Sequence, residues 1–317
     1  MVPIDAKLVR VHAGHLDLLR ARLGRLGTSV QRFEQDQAAF GVRCGWILTG
    51  LGDRTVRQGE LIAYIEETLV LFVQGFARVA DGRELLSDMI GMPASSSAVD
   101  HPSSEGAAAE AIDDVLHMVA RRDWVAPMLA EAAPVAEFAV PVGEGIGVLR
   151  AGGLDGAMTG IPPLRQMLDD LTGAPAVVAE QAGHWDAMAT ELGRIAADLQ
   201  GYLDRDFATR DRPDVRAYLA IMANNVVALR GLAAAANGMT VVTRAAGDLI
   251  LLARDIVRGL IGDLVARVLV WVADPVVVPL PVLTARLAAV VVTAWRVDAY
   301  ITALVVSISG LSRCIDG

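Results

Sequence analysis

Lysine is all but missing from this chain of 317 residues: of its 28 basic residues only Lys7 is a lysine, and the rest are arginine. Aromatics are scarce at 5%, and the formal net charge is −9. With no basic stripe interleaved with aromatics, the chain lacks the electrostatic footprint of a nucleic-acid binder. Two cysteines, Cys44 and Cys314, exclude a disulfide framework; they allow one bridge, and two half-buried thiols are the expected state. Residues Met1–His15 hold no apolar run with a small-residue cleavage site, so a classical secretion signal is not expected. The longest charge-free window near the C-terminus, Ala299–Ser312, is shorter than the roughly 18–20 residues of a spanning helix. There is no G-x-S-x-G, no phosphate loop and no H-E-x-x-H. Gly143-Glu144-Gly145-Ile146-Gly147 lacks the third glycine spacing of a dinucleotide fingerprint, and no strand precedes it.

What the chain does have is helical periodicity. Leu16, Leu19, Leu23, Leu26, Val30, Phe33 and Phe40 step by three and four, with Gln37 the polar exception. Ile62, Ile65, Leu69, Phe72, Phe76, Val79 and Leu86 repeat the pattern, with Arg83 out of character. Val178, Trp185, Met188, Leu192, Ile195, Leu199 and Tyr202 form a third stripe, and Val215, Met222, Leu229, Ala236 and Met239 a looser fourth. Such a repeat keeps one seam facing a neighbouring helix over many turns, so the expected fold is all-α, built of elongated antiparallel hairpins packed as a bundle. Mean hydropathy is +0.44, high enough that much apolar surface must be hidden in a core, against a partner or in lipid.

Three segments are expected: an N-terminal helical hairpin over 1–91, a linker with a short helix and a Gly/Pro-rich loop over 92–163, and a helical hairpin with apolar C-terminal helices over 164–317. The pattern predicts one helix from Asp5 to Phe40 and a second ending near Met89. Pro93, Pro102 and the serines around them mark Met92–Gly106 as linker. Ala107–Trp124 reads as a short helix capped by Ser103 or Ser104, and Pro127–Pro163 as irregular. Helix returns from Pro175 to Phe207, with a corner at Thr209–Pro213. The stretch from Asp214 to about Ala273 would run roughly 90 Å unbroken, so a break is expected near Asn237–Gly238 or Gly259–Gly262. Pro275, Pro279 and Pro281 stop it. The last helix, Val282–Leu311, has no clean polar face, and burial is its expected fate. Yet Leu264–Ser312 holds only Arg267, Asp274, Arg286, Arg296 and Asp298 as charges, which keeps lipid contact open.

Chemistry is thin. His12 and His15 share a helix face at i,i+3, but no carboxylate or thiol nearby completes a metal site with them, so none is expected. Glu180 with His184 and Asp113 with His117 are i,i+4 pairs of the kind found on solvated helix surfaces. Asp113-Asp114 and Asp169-Asp170 raise the thought of an isoprenoid synthase. The first cluster ends in His117, the second in Leu171-Thr172-Gly173, and the aromatics to hold a carbocation are lacking. The chain is expected to be no enzyme and to need no cofactor.

Pro163–Leu171, Gly173-Ala174-Pro175 with Val177-Val178, and then Trp185, Met188, Leu192, Asp198 and Leu199 resemble the helical modules of the WXG100 superfamily. These are type VII (ESX) secretion substrates, and the likeness extends to the N-terminal modules of actinobacterial polymorphic toxins. Tyr218, after the corner Asp211-Arg212-Pro213-Asp214, matches the family's second-helix tyrosine; Arg212-Pro213-Asp214 stands where the family has Trp-x-Gly. Arg244, Arg254-Asp255-Ile256-Val257 and Gly259-Leu260-Ile261 resemble the downstream helices. The N-terminal hairpin, with Cys44-Gly45-Trp46 at its corner, resembles a second copy. Tyr202 and Asp206 fit the Tyr-x-x-x-Asp/Glu form of the export signal. The resemblance implies a secreted substrate or effector-delivery module, made in the cytoplasm and exported by type VII secretion. It would pair through Trp185, Met188, Leu192, Ile195, Leu199 and Tyr218 with a small helical WXG100-type partner or a secretion chaperone. Two further expectations stand beside it: membrane insertion or pore formation by residues 249–311, and a cytoplasmic helical scaffold.

Overall fold

The computed structural model describes residues 5–33, 36–41, 44–45, 49–91, 113–114, 116–131, 173–207, 212–273 and 280–316. Every regular element among them is helical, and the fold is all-α. In chain order these are α1 (Ala6–Arg32), a 3₁₀ turn (Gln37–Phe40), α2 (Thr49–Ala80), α3 (Leu86–Met89), α4 (Pro175–Phe207), α5 (Pro213–Ala273) and α6 (Leu280–Asp316). Residues 116–121 and 127–131 are also helical. The linker expected at Met92–Gly106 and the loop carrying Gly143–Gly147 lie outside the described residues, as do Asp169-Asp170 and most of the corner after Phe207.

The chain folds into two units, each drawn from three stretches. The first takes Met1–Gln35, Leu51–Asp114 and Gly183–Thr240; the second takes Asp36–Gly50, Val115–Ala182 and Val241–Gly317.

In the first unit, α1 starts where Asp5 accepts the Lys7 backbone N–H at 2.9 Å, an Asx cap on the free helix end. Its buried stripe is Val9, His12, Leu16, Leu19, Leu23, Gly27 and Val30. Two corrections to the periodic reading follow. Gly27 rather than Leu26 is buried, because a 3.6-residue helix drifts against a 3.5 repeat. The absence of a side chain there lets Ile62 of α2 come close. The helix also ends at Arg32, not Phe40: Phe33 turns to extended geometry (ψ 98°) and sets its ring edge-on to Trp185, centroids 6.0 Å apart. On α2 the stripe runs Leu51, Thr55, Gln58, Ile62, Ile65, Leu69 and Phe76, all buried.

The second long helix is likewise two pieces. Gly82, at φ 71°, closes α2 with N–H bonds from Gly82 to Val79 and from Arg83 to Arg78, the paired bonds of a Schellman stop. Arg83 was out of character in the stripe because it sits past that stop.

In the second unit the 3₁₀ turn presents the Ala39 carbonyl to the Ala174 N–H at 2.7 Å. Gly173 (φ 40°) lies so close that any Cβ there would collide with the Ala39 oxygen. Cys44 is free and fully buried rather than half-buried, and burial pushes its thiol up to about 11. Residues 127–131, expected to be irregular, are helical; the Ala126 N–H that opens them donates to Ser307 Oγ of α6 at 2.8 Å.

The expected break in the long helix does not occur: α5 is continuous through Asn237–Gly238 and Gly259–Gly262. Its residues to Thr240 belong to the first unit and the rest to the second, so two cores share one helix and neither has to hold its whole length. Packing outweighs the roughly 1 kcal/mol that each internal glycine costs.

Trp185 is 1% exposed, and its indole N–H has no hydrogen-bond partner. Its place in the core is therefore a matter of volume alone. Trp185→Ala is expected to lose about 3–5 kcal/mol in chemical denaturation; a loss under about 1 kcal/mol would remove it from the core.

Candidate functional site

The first unit buries a polar chain in an apolar setting. His12 stands on the inner stripe of α1. Asp206 comes from the last turn of α4, and Tyr218 from the second turn of α5. His12 Nδ1–H donates to Asp206 Oδ2 at 2.6 Å, and the Tyr218 hydroxyl donates to His12 Nε2 at 2.6 Å. The carboxylate can only accept, which assigns the proton to Nδ1 and leaves Nε2 to take the phenol. His15, one turn further along α1, donates from Nδ1 to the same Asp206 Oδ2 at 3.1 Å. Its ring stacks on Tyr202 with centroids 4.1 Å apart, and the Arg205 guanidinium lies 5.7 Å from the Tyr202 ring centre.

Around His12, Phe76, Phe207 and Tyr218 stand edge-on at 5.3, 4.7 and 5.6 Å. Burial in this cage lowers the His12 pKa below 6.5, against an opposing pull from Asp206. Tyr218 is held well above 10, first by burial and then by the Asp206 charge. A phenol so sealed and so weakly acidic is no activated nucleophile, although the order Tyr–His–Asp has the outline of a catalytic relay. What the arrangement does is fix register: sliding α1 by one turn against α4 and α5 would leave three buried polar groups unpaired.

No neighbouring carboxylate in the sequence completes a site with His12 and His15. The structure supplies one from 191 residues beyond His15. Asp206, expected as part of an export signal, is buried and bonded to both histidines, and Tyr202 is half-buried under His15. The expected pairing seam is internal. Trp185, Met188, Leu192, Ile195, Leu199 and Tyr218 are all buried within the first unit. Asp198 and Glu191, on the outer side of α4, both take the Arg22 guanidinium, with Glu191 Oε1 at 2.8 Å. Asp113, Asp114 and His117 are exposed, as are Glu180 and His184.

A continuous accessible apolar stripe lies elsewhere, on α6, and here two expectations are overturned. Residues 297–311 are anchored in the second unit through Val297, Ile301, Leu304, Ile308 and Leu311, and the backbone and side chain of Trp124 lie against Gly310. From 280 to 296, however, no residue is buried. Leu280 (72% exposed), Leu283, Leu287, Val291 and Trp295 (76%) follow one another at three- and four-residue steps, with Val282 and Val292 exposed on other faces. Leu280–Arg313 is long and apolar enough to cross a membrane, and only 22% of its most apolar window is buried. Arg296 and Asp298 fall inside this helix, so its charge-free windows are each shorter than its apolar length. The Thr284 and Thr293 hydroxyls are satisfied within the helix, by the Pro281 carbonyl at 2.8 Å and the Ala289 carbonyl at 2.9 Å. Arg286 reaches back to the Trp271 carbonyl at 3.3 Å and lies 5.6 Å from the centre of the indole, covering the end of α5.

Comparison with protein-family models, with curated proteins and with solved structures finds no match for this chain.

Tyr218→Phe strands the buried His12 Nε2 and is expected to cost about 1–3 kcal/mol in denaturant unfolding, with the helix content unchanged. His12 sets a pH dependence as well. Its folded pKa lies below the unfolded 6.5, so the unfolded chain binds more protons in the interval between them. The stability it contributes is complete above 6.5 and is lost as pH falls through the folded value. A histidine-resolved NMR titration should place His12 below 6.5, and the unfolding free energy should drop as the pH is lowered through that window.

Proposed function

We propose that this is a non-enzymatic helical protein that works through apolar contact, and that its working surface is the uncovered first half of α6, which settles into the interfacial layer of a lipid bilayer. The supporting observation is the stripe Leu280, Leu283, Leu287, Val291 and Trp295, solvent-exposed at successive helical steps along one helix. Each such aliphatic side chain gains about 1.5–3 kcal/mol on leaving water. Both charges of the segment lie off the stripe: Arg286 is turned onto Trp271, and the exposed Arg296 can run its stem along the apolar surface while its guanidinium meets headgroups. Trp295 beside Arg296 is the pairing that favours a membrane–water boundary. The sixteen residues from Leu280 to Trp295 cover roughly 24 Å, short of the roughly 30 Å hydrocarbon core. The segment therefore lies in or dips into one leaflet while 297–311 stays docked in its unit.

A second reading, export as a folded helical hairpin by the type VII pathway, draws support from the helix–corner–helix of α4 and α5 in the first unit, where Phe207 and Tyr218 pack edge to face at 5.4 Å. With Asp206 enclosed, a receptor would read the folded ledge of Tyr202 and Arg205 rather than an extended peptide. On that reading, loss of the secretion ATPase in the native host empties the culture filtrate of this protein.

The membrane reading is tested by flotation with vesicles of phosphatidylcholine and phosphatidylglycerol. The full chain should float, and Leu287→Glu/Val291→Glu, at two exposed sites, should keep the helical spectrum and remain at the bottom. Failure of the wild type to float, or equal flotation of the variant, would sink the proposal. Self-association abolished by the same variant, without flotation, would transfer the surface to a protein partner.

A further inference from the structure

A carboxylate has two oxygens and can serve two imidazoles separately, yet His12 Nδ1 and His15 Nδ1 both converge on Asp206 Oδ2, at 2.6 and 3.1 Å. One ligand atom from each of the three residues lies within 4.8 Å of the other two. We propose that His12 Nδ1, His15 Nδ1 and Asp206 Oδ2 form a site for a divalent transition ion of the zinc class, with a fourth position open to water.

Four features carry this beyond a hydrogen-bonded cluster. The first is spacing: tetrahedral ligands at about 2.0–2.1 Å from zinc stand about 3.3 Å apart. The His15–Asp206 pair is already near that value, and the His12–Asp206 pair needs to open by about 0.7 Å. The second is support behind the ligands. The Tyr218 oxygen lies against His12 Nε2, and Tyr202 stacks flat on the His15 ring, 5° from parallel. Partners of this kind orient imidazole ligands and set their tautomer. The third is access. His12 and Asp206 are sealed, with side chains 0% and 5% exposed, while His15 is 21% exposed and forms the open edge where an ion and its water would enter. The fourth is donor chemistry. Two imidazoles and one carboxylate suit zinc, cobalt or nickel and not the oxygen-seeking magnesium or calcium.

The proton count closes. On coordination the proton of each histidine moves from Nδ1 to Nε2, so both rings stay neutral and no proton is released. The His12 Nε2–H then donates to the Tyr218 oxygen, and the phenol keeps its own proton, its O–H rotating off the ring and giving up its present acceptor. Zinc would thereby replace two shared protons as the link between α1 and α4, within the first unit alone. This site is independent of the apolar stripe on α6, and either proposal can fail without the other.

The test uses untagged full-length protein stripped of metal by chelator. Co²⁺ should give a visible ligand-field band of tetrahedral intensity, and Zn²⁺ should raise the thermal midpoint where Mg²⁺ does not. His15→Ala removes the most exposed ligand; His15→Gln removes the imidazole but keeps a donor toward Asp206, guarding against loss of fold. Both are expected to retain the helical spectrum, lose the cobalt band and bind zinc at least 10-fold more weakly. Absence of the band and of the zinc shift in the wild type overturns the proposal. So does zinc stabilisation that persists undiminished in folded His15→Gln.

Discussion

A neutral imidazole sealed among phenyl rings has to place both of its ring nitrogens, and the first unit is organised around that requirement. His12 can be buried only if an acceptor and a donor arrive from other helices. Asp206 at the end of α4 and Tyr218 at the start of α5 meet it from either side. Aliphatic stripes alone tolerate slippage by a turn, since leucine replaces leucine. A hydrogen-bonded triad does not tolerate it, because a displaced partner leaves a buried polar group with nothing to bind. The geometry that enforces register also draws a second histidine to the same oxygen. Structural constraint and metal-binding capacity thus arise from one carboxylate.

The two halves of α6 show the opposite situation. Beyond Arg296 the helix is held by the second unit, with Ser307 accepting an N–H from the 126–131 segment and Gly310 allowing Trp124 to approach. Before Arg296 the composition is equally aliphatic, but no residue from 280 to 296 is buried. Hydroxyls that would otherwise oppose transfer out of water are bonded to their own helix, and the one arginine within the stripe's span is turned onto Trp271. These local arrangements lower the polar cost of covering this surface, whatever covers it.

Much of the architecture was legible from spacing. Leu16, Leu19, Leu23, Ile62, Ile65, Leu69, Trp185, Leu192, Ile195 and Leu199 are all core, as a 3–4 repeat requires. The bounds Pro175 and Phe207 follow from a helix-starting proline and the loss of periodicity. Where the reading failed, the cause lay outside the local pattern. Phe33 breaks α1 while continuing the repeat, because its ring has Trp185 to pack against. Glycines at 238 and 259 do not interrupt α5, because cores from two units hold the helix on either side of Thr240.

The sequence by itself determined that this chain is helical, which faces are apolar, and that His12 and His15 share one of them, since these depend on residues within a few turns of each other. Tertiary structure alone decided that Asp206 completes the histidine pair, that Tyr218 closes it, and that one half of α6 is covered while the other is bare. Those outcomes turn on which surfaces meet across separations such as the 181 residues from Ala126 to Ser307 and the 206 from His12 to Tyr218, and no periodicity encodes that.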